Sequence, residues 1–155
     1  MAPRAGGRQG ESRGERWRNL EIWQRADDLA RSVYRATRTF PPEELYGLTS
    51  QLRRAALSIP TNIVEGCARE SDKEFARFLE IAFSSLAETK YLLHFSSSLD
   101  YLSKELEAEL RGKAEELGPR LWAFYLTVKG QTSKTRGDTK SRPAVKKETA
   151  GLLSG

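Results

Sequence analysis

Residues 51–69 read QLRRAALSIPTNIVEGCAR, and this stretch decides the fold. At about 100° per residue, Leu48, Leu52, Ala56, Ile59 and Ile63 fall on one apolar stripe. A second stripe beside it holds Gln51, Ser58, Asn62, Glu65 and Arg69. Leu57 and Val64 stand on the far side, where a surface helix ordinarily carries Lys or Glu. The stretch therefore reads as one helix with a core face, a polar seam and a third contact face. A monomeric bundle needs only the first. Pro60 has no amide donor and its ring meets the carbonyl of Ala56, which predicts a kink. Ile59 and Ile63 keep the apolar phase across Pro60, so one kinked helix is expected, not two.

Working outward, Pro42, Glu43 and Glu44 form a first-turn pattern that starts this helix, and it runs to about Ala68. Upstream, Leu20, Trp23, Ala26, Ala30, Val33 and Thr37 recur at helical steps, with Asn19 placed to cap the N-terminus. Phe40-Pro41-Pro42 ends that first helix near Thr39. Downstream, Ser71 and Glu74 make a capping-box pattern that opens a third helix running to about Leu99. Phe75, Leu79, Ala82, Leu86 and Leu93 form one of its stripes; Phe78, Ile81, Ser85, Leu92 and Phe95 form another. Apolar over more than half its girth, this helix should be the most buried, either central or shared with a neighbouring subunit. Ser103 opens a fourth helix, carried by Leu106, Leu110, Leu117, Leu121, Phe124 and Val128, with a kink or short break expected at Gly118-Pro119. Four amphipathic segments with short links predict an all-α, antiparallel up-down-up-down four-helix bundle over 17–128.

The flanks differ from this core. Residues 1–16 are Gly- and Arg-rich without apolar periodicity, and 129–155 are polar, basic and punctuated by Gly and Pro; both read as disordered. The net charge of +5 belongs to these flanks. The first holds four Arg against two Glu, the second seven Lys plus Arg against Asp138 and Glu148, while 17–128 holds fifteen basic and seventeen acidic residues. The folded part thus has no general positive field, and any polyanion-binding surface in it must be local. A single cysteine, Cys67, excludes an internal disulfide and a cysteine-based zinc site, and suits a reducing cytoplasm. No apolar run is long enough to span a membrane, so no membrane partner is expected.

Several spaced elements carry a resemblance. They are Trp23 with Ala26, the run FPPEELYGL at 40–48, QLRRA at 51–55 followed by Ser58, Pro60, Asn62, Glu65 and Gly66, and Ser85-Leu86 with Glu88. Together, over about 17–128, they closely resemble the four-helix-bundle family of proteins encoded in bacterial 23S rRNA intervening sequences. The resemblance implies a bundle that assembles into a homopentameric ring and has no established catalytic activity. It also implies likeness in fold to the accessory variability protein of diversity-generating retroelements, a barrel that binds nucleic acid and its reverse transcriptase. Nothing in the family pattern covers the basic flanks.

Chemistry-bearing residues are few. His94 is the only histidine and has no carboxylate four residues away. Cys67 lacks a clear thiolate-stabilising partner. No strand precedes a Gly-rich loop, so no phosphate loop is present. No enzyme activity, metal or cofactor is expected. The seam has two readings. Gln51, Leu57, Ser58, Asn62, Val64, Glu65 and Glu88 could form a structural lock between helices or subunits, with Arg54 paired to Glu65 or Glu88 and Asn62 bridging backbone freed by Pro60. Alternatively, Arg53, Arg54 and Arg69 could line a ligand or nucleic-acid groove. In the C-terminal flank, Lys129, Lys134, Arg136, Lys140, Arg142, Lys146 and Lys147 are candidates for phosphate contacts to RNA or DNA, without aromatic residues for base stacking. The expected role is that of an oligomeric accessory protein binding nucleic acid or a nucleoprotein partner. The other reading is a scaffold docking a protein such as a reverse transcriptase.

Overall fold

The computed structural model describes residues 13–134; the readings made for 1–12 and 135–155 lie outside the described residues. A 3-10 helix, Arg13–Asn19, leads into four α-helices: α1 (Glu21–Ala36), α2 (Leu48–Cys67), α3 (Asp72–Ser98) and α4 (Lys104–Lys134). Each helix packs beside its chain neighbours, and α4 closes back on α1. The α1–α4 contact is antiparallel, since Arg25 pairs with Glu116 at 3.0 Å, Glu21 with Arg120 at 3.1 Å, and Asp28 with Lys113 at 2.8 Å. This is the up-down-up-down bundle that the four amphipathic stripes predict.

The core stripe of α2 is as expected, with Leu48, Leu52, Ala56, Ile59 and Ile63 all buried. The helix is continuous through Pro60. In α1 the buried set is Ile22, Ala26, Leu29, Ala30, Val33 and Ala36. Leu20 and Trp23, expected in the core, are only partly buried beside it, and Ile22 and Leu29 were missed. The cap of α1 is Leu20 without a side-chain hydrogen bond, not Asn19.

Two boundaries and one expected break differ from the sequence reading. Pro42–Glu44 form a short 3-10 turn, and α2 begins only at Leu48. The Glu44 carboxylate turns back and accepts the Leu48 amide at 2.9 Å, capping the helix from outside. Gly47 leaves room for it: a Cβ there would lie 2.9 Å from the same oxygen. The fourth helix does not break at Pro119, and it runs past Val128 to Lys134. Lys129 and Lys134 therefore belong to α4 and not to a tail. Val128 is still buried, and Lys129 donates to the Tyr125 hydroxyl one turn back, which holds the helix beyond the apolar pattern. The opening of α3 is as read, since the Ser71 hydroxyl accepts the Glu74 amide at 3.2 Å.

The expectation that α3 is the most buried helix fails within the single chain. Its Phe75, Leu79, Ala82, Leu86 and Leu93 stripe is buried, but Ile81, Phe83, Tyr91 and Phe95 are exposed. The reason is geometric: in a square bundle each helix touches two neighbours, so apolar residues spread over more than half its girth must leave some outside.

Candidate functional site

The polar seam forms where α2 faces α3. Asn62, Ser58 and Ser85 share one side of that contact, the first two on α2 and the third on α3. Ser58 and Ser85 hydroxyls lie 2.9 Å apart, and the Asn62 amide nitrogen donates to the Ser58 hydroxyl at 2.9 Å and to the Ser58 carbonyl at 2.7 Å. Asn62 and Ser85 are buried, so each polar group gains a partner that water no longer supplies. The Asn62 amide therefore serves Ser58, not the Ala56 carbonyl freed by Pro60. One turn earlier the seam opens into a groove of about 530 Å³, lined among others by Tyr46, Gln51, Arg54, Ser58, Ser85 and Glu88.

Arg54 pairs with neither Glu65 nor Glu88 among the described residues; it is exposed on the groove wall. The three arginines proposed for one groove are apart. Arg53 turns to α1, donating to the Thr37 hydroxyl at 2.7 Å and lying 4.9 Å from the Tyr34 ring centroid. Arg69 stacks at 4.7 Å over Phe78, beyond the end of α2. The third face also has a definite place. Leu57 is exposed beside α1, in a shallow depression with Asp27, Arg31, Tyr34, Arg35 and Arg38, and Val64 is half-buried. Glu65 is exposed. Arg136, Lys140, Arg142, Lys146 and Lys147 lie outside the described residues, and Lys134 is described only as backbone.

Cys67 is buried, and that burial pushes its thiol up, with Arg16 acting in the opposite sense. A raised thiol is a poor nucleophile at neutral pH. His94 is exposed on α3. Among the described residues no group of three or more His, Cys, Asp or Glu is placed to hold a metal ion. No described helix is long and apolar enough to cross a membrane.

Two surface features were not singled out from the sequence, and a third, Tyr46, entered only as part of the run at 40–48. Tyr46 is 95% exposed at the tip of the turn before α2. Phe83 of α3 and Trp122 of α4 stack with ring centroids 5.4 Å apart on the outer surface, with exposed Leu126 one turn beyond Trp122. Lys73 and Arg77 of α3 share a cleft with Tyr125 and Lys129 of α4. The four-residue spacings Lys73–Arg77 and Tyr125–Lys129 were legible; that the two pairs meet was not.

The comparisons fit this architecture. A solved structure described as a protein of unknown function from the S23 ribosomal protein family of Bacteroides thetaiotaomicron is similar in fold, with a TM-score of 0.61 at 20% identity; the match covers 67% of this chain and 97% of that one. No curated protein matches the chain. The family described as 23S rRNA-intervening sequence protein matches residues 18–123, which takes in α1 to α3 and most of α4. The chain therefore belongs to the 23S rRNA-intervening sequence protein family.

Proposed function

We propose that this protein is a non-enzymatic, homo-oligomeric accessory factor that binds RNA or DNA, or a nucleoprotein partner, through phosphate contacts in the bacterial cytoplasm. The observation that supports the oligomeric part of this reading is the distribution of exposed apolar residues around α3. Ile81 and Phe95 flank it on the α2 side, and Phe83 with Trp122 and Leu126 on the α4 side. Two unlike apolar faces on one subunit suit a heterologous contact, in which one face meets the other on the next copy and the rotation closes a ring. A ring of five is what the family resemblance implies. The groove with Gln51, Arg54 and Glu88 would then stand next to the subunit contact.

Light scattering of the full chain at micromolar concentration tests the assembly: a closed oligomer is expected, and a stable monomer would sink it. Binding to labelled RNA and DNA across a salt series tests the task, with affinity expected to fall steeply as salt rises. The exposed apolar faces also favour a second reading, a scaffold docking a protein partner such as a reverse transcriptase. An oligomer that binds no nucleic acid even at low salt would select it.

A further inference from the structure

We propose that the cleft between the start of α3 and the end of α4 is where a nucleic-acid backbone binds, with Lys73, Arg77 and Lys129 contacting its phosphates. This rests on the nucleic-acid reading above and gives it a location. The cleft holds about 590 Å³ and is lined by Lys73, Glu74, Ala76, Arg77, Glu80, Tyr125 and Lys129. Lys73 and Arg77 are exposed, one helical turn apart on α3, and neither has an ion-pair partner among the described residues. Lys129 faces them from α4, held by its bond to the Tyr125 hydroxyl at 3.1 Å. The two acidic residues of the lining are already engaged. The Tyr125 hydroxyl donates to the Glu80 carboxylate, and the Ser71 hydroxyl donates to Glu74 at 3.3 Å. A hydroxyl donor is neutral, so the lining counts three basic against two acidic side chains, and Lys73 and Arg77 are the cations left without a carboxylate partner among the described residues.

Topology reinforces the charge. An even number of antiparallel helices puts the first and last described residues at one end of the bundle, and this is the end that holds the cleft. Arg16 of the leading 3-10 helix lies close enough to Cys67, the last residue of α2, to act on its thiol. The flanking segments 1–12 and 135–155 attach at this same end. By sequence they carry Arg4 and Arg8 against Glu11, and five Lys plus Arg against two acids. Residues 17–128 themselves hold more acidic than basic side chains. Nothing in the cleft is arranged to read base edges, so the contact would be independent of sequence and steep in salt.

Fluorescence anisotropy of the full chain with a labelled mixed-sequence single-stranded RNA tests this. The triple variant Lys73→Gln, Arg77→Gln, Lys129→Gln should bind about tenfold more weakly at low salt, and its salt slope should fall by about two, at ~0.7 per phosphate lost. Lys73→Arg with Lys129→Arg should keep the wild-type affinity. Lys104→Gln, exposed at the start of α4 and so at the opposite end of the bundle, should change neither quantity. Lys73→Glu with Arg77→Glu leaves the Lys129–Tyr125 contact intact and replaces the triple variant if that chain does not fold. A folded cleft variant with wild-type affinity, or a Lys104→Gln loss equal to the triple variant's, overturns the cleft and leaves nucleic-acid binding standing. Wild-type protein that binds no RNA overturns both.

Discussion

Gly66 shows how one residue sets the distance between two helices. It is buried where α2 meets α3, and a Cβ at its position would lie 2.6 Å from a Phe75 ring carbon and 3.0 Å from Phe78 Cβ. The Phe75 ring is buried edge-on against Phe124, and Phe78 Cβ moves only with α3 itself. Alanine gains about 1 kcal/mol of helix propensity, but overpacking of this kind costs about 1–3 kcal/mol. Gly66→Ala is therefore expected to lower stability by about 1 kcal/mol, measured by urea unfolding; an unchanged or higher midpoint would show that α3 yields freely. The neighbouring seam was legible only in part. The helical period puts Ser58 and Asn62 on one stripe, but their bond partners depend on which α3 residue stands opposite. That residue is Ser85, and Arg54 faces solvent instead of a carboxylate.

The helix ends were the least legible elements, because their hydrogen bonds come from residues that the helical period does not mark. At the end of α3, the Tyr101 amide donates to the Ser96 carbonyl and the Asp100 amide to the Ser97 carbonyl, both at 3.0 Å, and Asp100 has φ 61°. This is a Schellman closure with an aspartate at the left-handed position, where glycine carries no Cβ penalty. Asp100→Gly should raise stability by about 0.5–1 kcal/mol, read as a higher thermal midpoint. At the start of α1, Glu21 bonds Arg25 at 2.8 Å and Arg120 of α4 at 3.1 Å. The Arg25 hydrogen bond first, and Arg120 after it, hold the Glu21 carboxyl below its usual range. A depressed folded value means the contribution is present above the unfolded value of about 4.3 and is lost as pH falls through the folded one. The urea midpoint should therefore drop on acidification below about pH 5, and Glu21→Gln should flatten that drop. Equal acid slopes in both proteins would remove Glu21 from the account.

For the whole molecule, the exposed apolar faces make a claim that single residues cannot. Trp122 is 45% exposed and stacks on Phe83, and Leu57 is 45% exposed against α1. Both side chains are about half-exposed at the surface, so Trp122→Glu and Leu57→Glu should each shift the assembly towards monomer in sedimentation velocity while far-UV helicity stays. A charge placed in a subunit contact leaves a desolvated, unpaired group, which costs several kcal/mol. Unchanged sedimentation of either variant would clear its face of that role.

The sequence by itself determined four helices, their order, their main core stripes and the placement of net positive charge in the flanks, because helical period and composition are local properties. It also made plain that α2 and α3 carry more polar and apolar surface than a lone bundle needs. Only the tertiary structure decided that Arg53, Arg54 and Arg69 point three different ways, that Ser58 meets Ser85, and that Lys73, Arg77 and Lys129 line one cleft. The reason is that α2 fixes only the angle at which Gln51 to Arg69 leave its axis. What each residue meets is set by helices whose sequence lies tens of residues away.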